Sequence, residues 1–124
     1  MKTLALDYGS ARTGVAVSDP TGTIARPLLV VAAVGTPKGF ARLLEVIGAE
    51  EPERIVVGLP LTLRGEHGAQ ADETAEFVER LRGAVAMPVE TYDERFTSVL
   101  AGGDDARAAA HLLSTYLEWQ STRS

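Results

Sequence analysis

One stretch constrains the architecture more than any other: Arg54-Ile55-Val56-Val57-Gly58, a continuous apolar run placed directly after a helix-patterned segment. Such a run reads as a parallel strand buried on both faces, and a strand of that kind needs helices covering both sides of its sheet. Gly58-Leu59-Pro60 closes it. Upstream, residues 4–8 and 13–18 are short, apolar and β-prone, and Gly9-Ser10-Ala11-Arg12 joins them as a hairpin. A third strand is expected over residues 23–31. Its Pro27 calls for an edge position or a bulge, because proline cannot donate to a central ladder.

The helical segments announce themselves by caps and spacing. Thr36 suits an N-cap with Pro37 at the first helical position, and Phe40, Leu43, Leu44 and Ile47 recur on one face, with an end expected near Gly48. Residues 69–82 carry Thr74, Phe77, Val78 and Leu81 at helical spacing, residues 87–92 read as a fifth strand, and a last helix aligns Ala106, Ala109, Ala110, Leu113 and Leu117. Three strands in a meander, then helix, strand, helix, strand and helix, predict an α/β fold: a mixed five-stranded sheet with helices packed on its faces. With 124 residues and no internal repeat or linker, the whole chain, 1–124, is expected to form a single domain.

Composition narrows the chemistry. The chain has no cysteine, which excludes a disulfide framework, a thiolate zinc site and a cysteine nucleophile together, so any metal must sit on oxygen or histidine. The formal charge of -5 weighs mildly against a surface that grips nucleic acid everywhere. It is compatible with a carboxylate site where bound divalent cations restore positive potential. The N-terminus meets Asp7 and Gly9 before any secretory apolar stretch can form, and no apolar run reaches spanning length. A cytoplasmic location without membrane contact is the expectation.

Five pieces then stand together in order: Leu6-Asp7-Tyr8-Gly9 with Arg12; Gly14-Val15-Ala16-Val17-Ser18-Asp19; Ile55-Val56-Val57-Gly58-Leu59-Pro60-Leu61; Asp93-Glu94-Arg95-Phe96-Thr97-Ser98; and Asp105-Ala106 leading to Tyr116-Leu117. Asp-x-Gly alone is weak, but the combination is specific. It resembles the bacterial family of pre-16S ribosomal RNA nucleases and Holliday-junction resolvase-like proteins over nearly the whole chain. The resemblance implies a ribonuclease H-like fold and metal-dependent cleavage of structured nucleic acid, either ribosomal RNA precursor or branched DNA. Two departures stand out. The family usually has a longer, often basic stretch before the last helix, whereas here Val99 runs almost directly into Gly102-Gly103-Asp104. After Gly-Leu-Pro-Leu the family often has Asn and then Asp, where this chain has Thr62 and Arg64.

The chemistry can also be argued from the residues. Hydrolysing a phosphodiester needs a nucleophilic water, stabilisation of added negative charge and an activated leaving oxygen, and two divalent cations about 3.5–4 Å apart supply all three when carboxylates hold them. Mg2+ or Mn2+ suits oxygen ligands and phosphate oxygens. Asp7 on the first strand, Glu94 just beyond the fifth and Asp105 at the start of the last helix are the candidate catalytic and metal-holding residues. Ser10, Arg12, Arg64, Arg95 and Thr97 are candidate substrate contacts, the arginines for their planar fork of donors.

Each candidate has a plainer reading. Asp7 could shape a turn, and Asp104 or Asp105 could cap the last helix. Asp93-Glu94-Arg95 could be a solvated charge run, and Arg12 and Arg95 could form internal ion pairs. Ser10 and Thr97 could bond local backbone. His67 reads as a solvated loop residue and His111 as structural. Two other classes stay open. Asp7-Tyr8-Gly9-Ser10 also resembles the first phosphate-binding turn of actin-like sugar kinases, although those need two such domains and no Walker-type loop is present here. A non-catalytic nucleic-acid-binding module with the same fold is the other. A homodimer is compatible with any of the three.

Overall fold

The computed structural model describes residues 1–59, 68–93 and 106–123. Five strands, β1 (Thr3–Asp7), β2 (Arg12–Ser18), β3 (Ala25–Ala32), β4 (Arg54–Leu59) and β5 (Val89–Asp93), form one sheet in the order β3-β2-β1-β4-β5. Helices α1 (Pro37–Glu50), α2 (Ala69–Ala84) and α3 (Ala106–Arg123) pack on it. The pairs β1–β2 and β2–β3 are antiparallel, whereas β1–β4 and β4–β5 are parallel. The run over Ile55–Val57 is therefore the buried parallel strand its composition implied, and all three residues have no exposed surface.

The first hairpin forms because its turn is short and Gly9 keeps it open. A Cβ on Gly9 would overlap the carbonyl oxygen of Arg12, and the Thr13 hydroxyl brackets the same residue, 3.4 Å from its N–H and 3.3 Å from its carbonyl oxygen. Pro27 occupies an edge strand, and the register shift that takes Leu29 opposite Val15 but Pro27 opposite Ala16 leaves Leu28 as an extra residue there. Both accommodations expected of a strand proline are thus used at once.

Thr36 caps α1 by accepting from the Gly39 N–H at 3.1 Å, with Pro37 at the first position. The helix runs past Gly48 to Glu50. Glu51 ends it by adopting the left-handed conformation (φ 51°, ψ 54°) and returning its N–H to Ile47 O at 3.0 Å. A non-glycine αL cap is the physical reason the expected end near Gly48 falls short.

Period-two alternation sends the strand residues to two cores. Leu4, Leu6, Val15, Ile55 and Val57 face α1 and α2, meeting Leu43, Ile47, Phe77, Val78 and Leu81. Ala5, Ala16 and Val56 face α3, meeting Ala109, Leu112, Leu113, Tyr116 and Leu117. Small residues on the sheet side of this second core leave room for the large ones on the helix. The buried stripe of α3 accordingly runs through Ala108, Ala109, Leu112, Leu113, Tyr116 and Leu117, while Ala110, expected on it, only flanks it. Tyr116 is 1% exposed, so its ring was part of the core that a stripe of aliphatic residues left out.

Candidate functional site

The three parallel strands β1, β4 and β5 all finish at one edge of the sheet, at Asp7, Leu59 and Asp93. In open α/β sheets the carboxyl ends of parallel strands are where ligands sit. Asp7 is half-buried and pairs with Gly14 of β2. Counting alternately from Leu4 and Leu6, which face α1 and α2, Asp7 shares the α3 face with Ala5. Asp93 pairs with Leu59 in the same register as Ile55 with Val89, which puts it on the opposite face from Asp7.

Helix α3 runs away from that edge. Its second half lines a groove with Met1, Gly22 and Arg54, at the end where β1 begins, through Leu117 and Gln120. Eleven residues before Leu117, about 16 Å at 1.5 Å per residue, comes Ala106. From Thr3 to Asp7 the strand covers about 13 Å at 3.3 Å per residue. The first turn of α3 therefore reaches the Asp7 end. Helix α1 has the same sense, since Glu50 at its end pairs with Lys2 at 3.2 Å and Thr36 at its start bonds the Ala33 carbonyl, just past β3.

Of the candidates read from sequence, the structure brings Asp7, Ser10 and Arg12 to one edge, with Ser10 and Arg12 exposed in and beside the first hairpin. Glu94, Asp105, Arg64, Arg95 and Thr97 lie outside the described residues, as do His67 and Asp104. His111 is half-buried within α3, where its carbonyl accepts from the Thr115 hydroxyl at 3.0 Å. Among the described residues no three His, Asp or Glu side chains gather closely enough to hold a metal ion.

Two contacts were not legible in the sequence, one beside Asp7 and one toward the opposite end of the sheet. The Tyr8 hydroxyl donates to Glu73 Oε2 of α2 at 2.7 Å, and its ring lies 4.7 Å from that of Phe77. Burial first, and the neighbouring Glu73 second, push the Tyr8 hydroxyl up to about 12. The residue after Asp7 is thereby tied to the helix that follows residues 60–67. On the other face Tyr116 donates to Glu90 Oε2 at 2.9 Å and accepts from Gln120 Nε2 at 2.9 Å, with the Arg54 guanidinium 4.9 Å above its ring. Burial and the Glu90 carboxylate raise its pKa. Residue pairs 65 and 26 positions apart carry no local signal, and only the alternation of strand faces hinted at them.

Comparison with known proteins adds the following. A family model described as "RuvX: Holliday junction resolvase" matches residues 1–119. A "Putative pre-16S rRNA nuclease" of Chloroflexus aurantiacus is 45% identical over 98 residues, covering 79% of this chain and 64% of that relative's length. A protein of the same name from Sulfurihydrogenibium is 41% identical over 130 aligned residues, 93% of this chain and 88% of its own. Among solved structures, Thermus thermophilus RuvC matches with a TM-score of 0.61 at 20% identity over 98% of this chain and 97% of its own. The same protein in complex with Holliday junction substrate also gives 0.61 at 20% identity, over 98% and 96%. At such identity the likeness is one of fold, and the fold is the ribonuclease H-like one.

Proposed function

The chain belongs to the RuvX family of Holliday junction resolvases, and on that premise we propose that it is a metal-dependent endonuclease of structured nucleic acid acting on the 16S ribosomal RNA precursor. The observation that carries the reading is the position of Asp7: a half-buried carboxylate at the common carboxyl edge of the parallel strands, on the face that α3 covers. The choice of substrate is supported by the relatives, which share 45% and 41% identity and carry the name "Putative pre-16S rRNA nuclease". On this reading residues 1–124 form one nuclease domain, and the precursor-processing role places it in the cytoplasm.

The donor set fits a hard cation. Without cysteine, the candidates at this edge are oxygen donors, which suits Mg2+ or Mn2+. Asp7 would hold the metal together with Glu94 and Asp105. Asp93 is the weaker alternative to Glu94, because it occupies the opposite face from Asp7. When bound, two such ions supply Lewis-acid activation of water and neutralisation of charge at the scissile phosphate. The rest is left to the chain's own residues. Asp7 ends a central strand whose Leu4, Ala5 and Leu6 have no exposed surface, so its backbone is held firmly at that edge. Arg12 and Ser10 stand exposed at the same edge to bind non-bridging oxygens, with Arg64, Arg95 and Thr97 as further contacts.

A second reading, cleavage of a four-way DNA junction, is favoured by the description of the family model. One experiment addresses both. Labelled ribosomal RNA precursor and a labelled four-way junction are incubated in parallel with Mg2+, Mn2+ or chelator, using the wild type and Asp7→Asn. Cleavage of the RNA with metal and none with chelator is expected. Asp7→Asn should lose on the order of 10²–10³ in rate, the equivalent of about 3–4 kcal/mol of charge stabilisation, while remaining folded. Wild-type rates from Asp7→Asn would overturn the mechanism, and products from the junction alone would select the second reading.

A further inference from the structure

Charge is distributed very unevenly along this acidic chain. Residues 8–44 carry four basic side chains, Arg12, Arg26, Lys38 and Arg42, against the single acid Asp19, whereas the remainder carries eight basic against sixteen acidic. The fold converts this into two unlike flanks. The strands and helix built from residues 8–44 form the β3 side of the sheet, while α2, on the other side, exposes Asp72, Glu73, Glu76 and Glu79.

On the basic flank, a groove of about 570 Å³ opens at the end of β3, lined by Ala32, Ala33, Thr36, Lys38, Arg42 and Glu45 among others. Its floor is close backbone packing: a Cβ on the buried Gly39 would overlap the Ala33 carbonyl, so α1 sits directly on the chain leaving β3. Lys38 and Arg42, one helical turn apart, stand exposed at its rim. Neither takes part in an ion pair or hydrogen bond among the described residues. The groove lies at the functional edge, since Ala32 pairs with Arg12 and the Ala33 N–H bonds Ala11 O at 2.9 Å. Strand β3 is two strand spacings, about 10 Å, from β1 and Asp7.

We infer that the substrate's phosphodiester backbone leaves the cut site across the β3–α1 flank, where Lys38 and Arg42 bind its phosphates. The inference rests on the nuclease reading and gives it a direction. A polyanion crossing the opposite flank would meet the exposed acids of α2, and on this side one acid, Glu45, faces two unpaired cations.

The test is equilibrium binding in chelator, read by fluorescence anisotropy over a salt series, with a labelled four-way DNA junction and a labelled RNA stem-loop as probes. The proteins are wild type, Lys38→Ala/Arg42→Ala, the conservative Lys38→Arg/Arg42→Lys, and Arg26→Ala. Arg26 is on the same edge strand, opposite Val17 at its far end. Each phosphate contact contributes about 0.9 to the slope of log K against log salt on duplex DNA, so losing two lowers the slope by about 1.8 and weakens binding about 60-fold at 0.1 M salt. The double alanine variant should show that loss with an unchanged melting temperature, the conservative variant should retain binding, and Arg26→Ala should resemble wild type. A loss on one probe only identifies whose phosphates are bound. An unchanged slope in the double alanine variant, or an equal loss in Arg26→Ala, overturns the inference. Failure of the wild type to bind either probe overturns the nuclease reading itself.

Discussion

Two glycine-to-alanine substitutions should shift stability in opposite directions. At Gly9 an added Cβ would stand well under the 3.0 Å that Cβ atoms keep from other heavy atoms, and the atom it meets is the Arg12 carbonyl oxygen rather than a flexible side-chain tip. That backbone cannot yield cheaply, because β2 starts at Arg12 and its pairing with Ala32 holds it. Overpacking of this kind costs about 1–3 kcal/mol. At Gly48, inside α1, nothing lies within 4 Å of the new Cβ, so alanine should gain about 0.5–1 kcal/mol through backbone entropy alone. For 124 residues the unfolding entropy near the transition is about 0.26 kcal/mol/K, so 1 kcal/mol moves Tm by about 4 °C. Gly9→Ala should therefore melt about 4–12 °C below wild type and Gly48→Ala about 2–4 °C above it, by calorimetry. Because Gly9 stands two residues after Asp7, Gly9→Ala should also lower cleavage, while Gly48→Ala should not. A Gly9→Ala protein with the wild-type Tm would refute the close approach on which the hairpin argument depends.

Three further outcomes follow from single contacts. Ser18→Ala removes the acceptor of the buried Thr3 N–H, 2.8 Å away, and should cost about 1–3 kcal/mol, seen as a lower denaturation midpoint and faster exchange of the Thr3 amide. Asp19 accepts from the N–H groups of Ile24 and Thr23, at 2.9 and 2.8 Å, and from the Thr21 hydroxyl, and these bonds hold its carboxyl well below the usual carboxylate range. A depressed folded pKa means that its contribution is complete above an unfolded value near ~4 and is lost as pH falls through the folded one, so Asp19→Asn should flatten the acid limb of stability against pH. Tyr8 is raised to about 12 by burial and Glu73, and burial raises Tyr92 and Tyr116 as well, so a spectrophotometric titration should find all three tyrosines ionising above the free value of about 10, and Glu73→Gln should bring one of them down toward it. A titration curve that Glu73→Gln leaves unchanged would show that the bond from Tyr8 to Glu73 is not formed in solution.

What the sequence by itself determined about this protein is what neighbours along the chain can decide. Thr36-Pro37 starts α1, Pro27 goes to an edge with a bulge, the Ile55–Val57 run becomes a buried parallel strand, and the ordered motifs name the family, all from a few adjacent residues. Asp7 could be singled out as well, since a strand ending in Asp-Tyr-Gly marks itself. Only the tertiary structure decided what depends on which strands lie side by side. The order β3-β2-β1-β4-β5 sends Asp7 and Asp93 to opposite faces, ties Tyr8 to Glu73 and Tyr116 to Glu90, and gathers Arg12, Lys38 and Arg42 on one flank. Helix caps and strand alternation are set within a turn or two of backbone, whereas these meetings are between residues up to 65 positions apart, brought together by a strand order that no local pattern encodes.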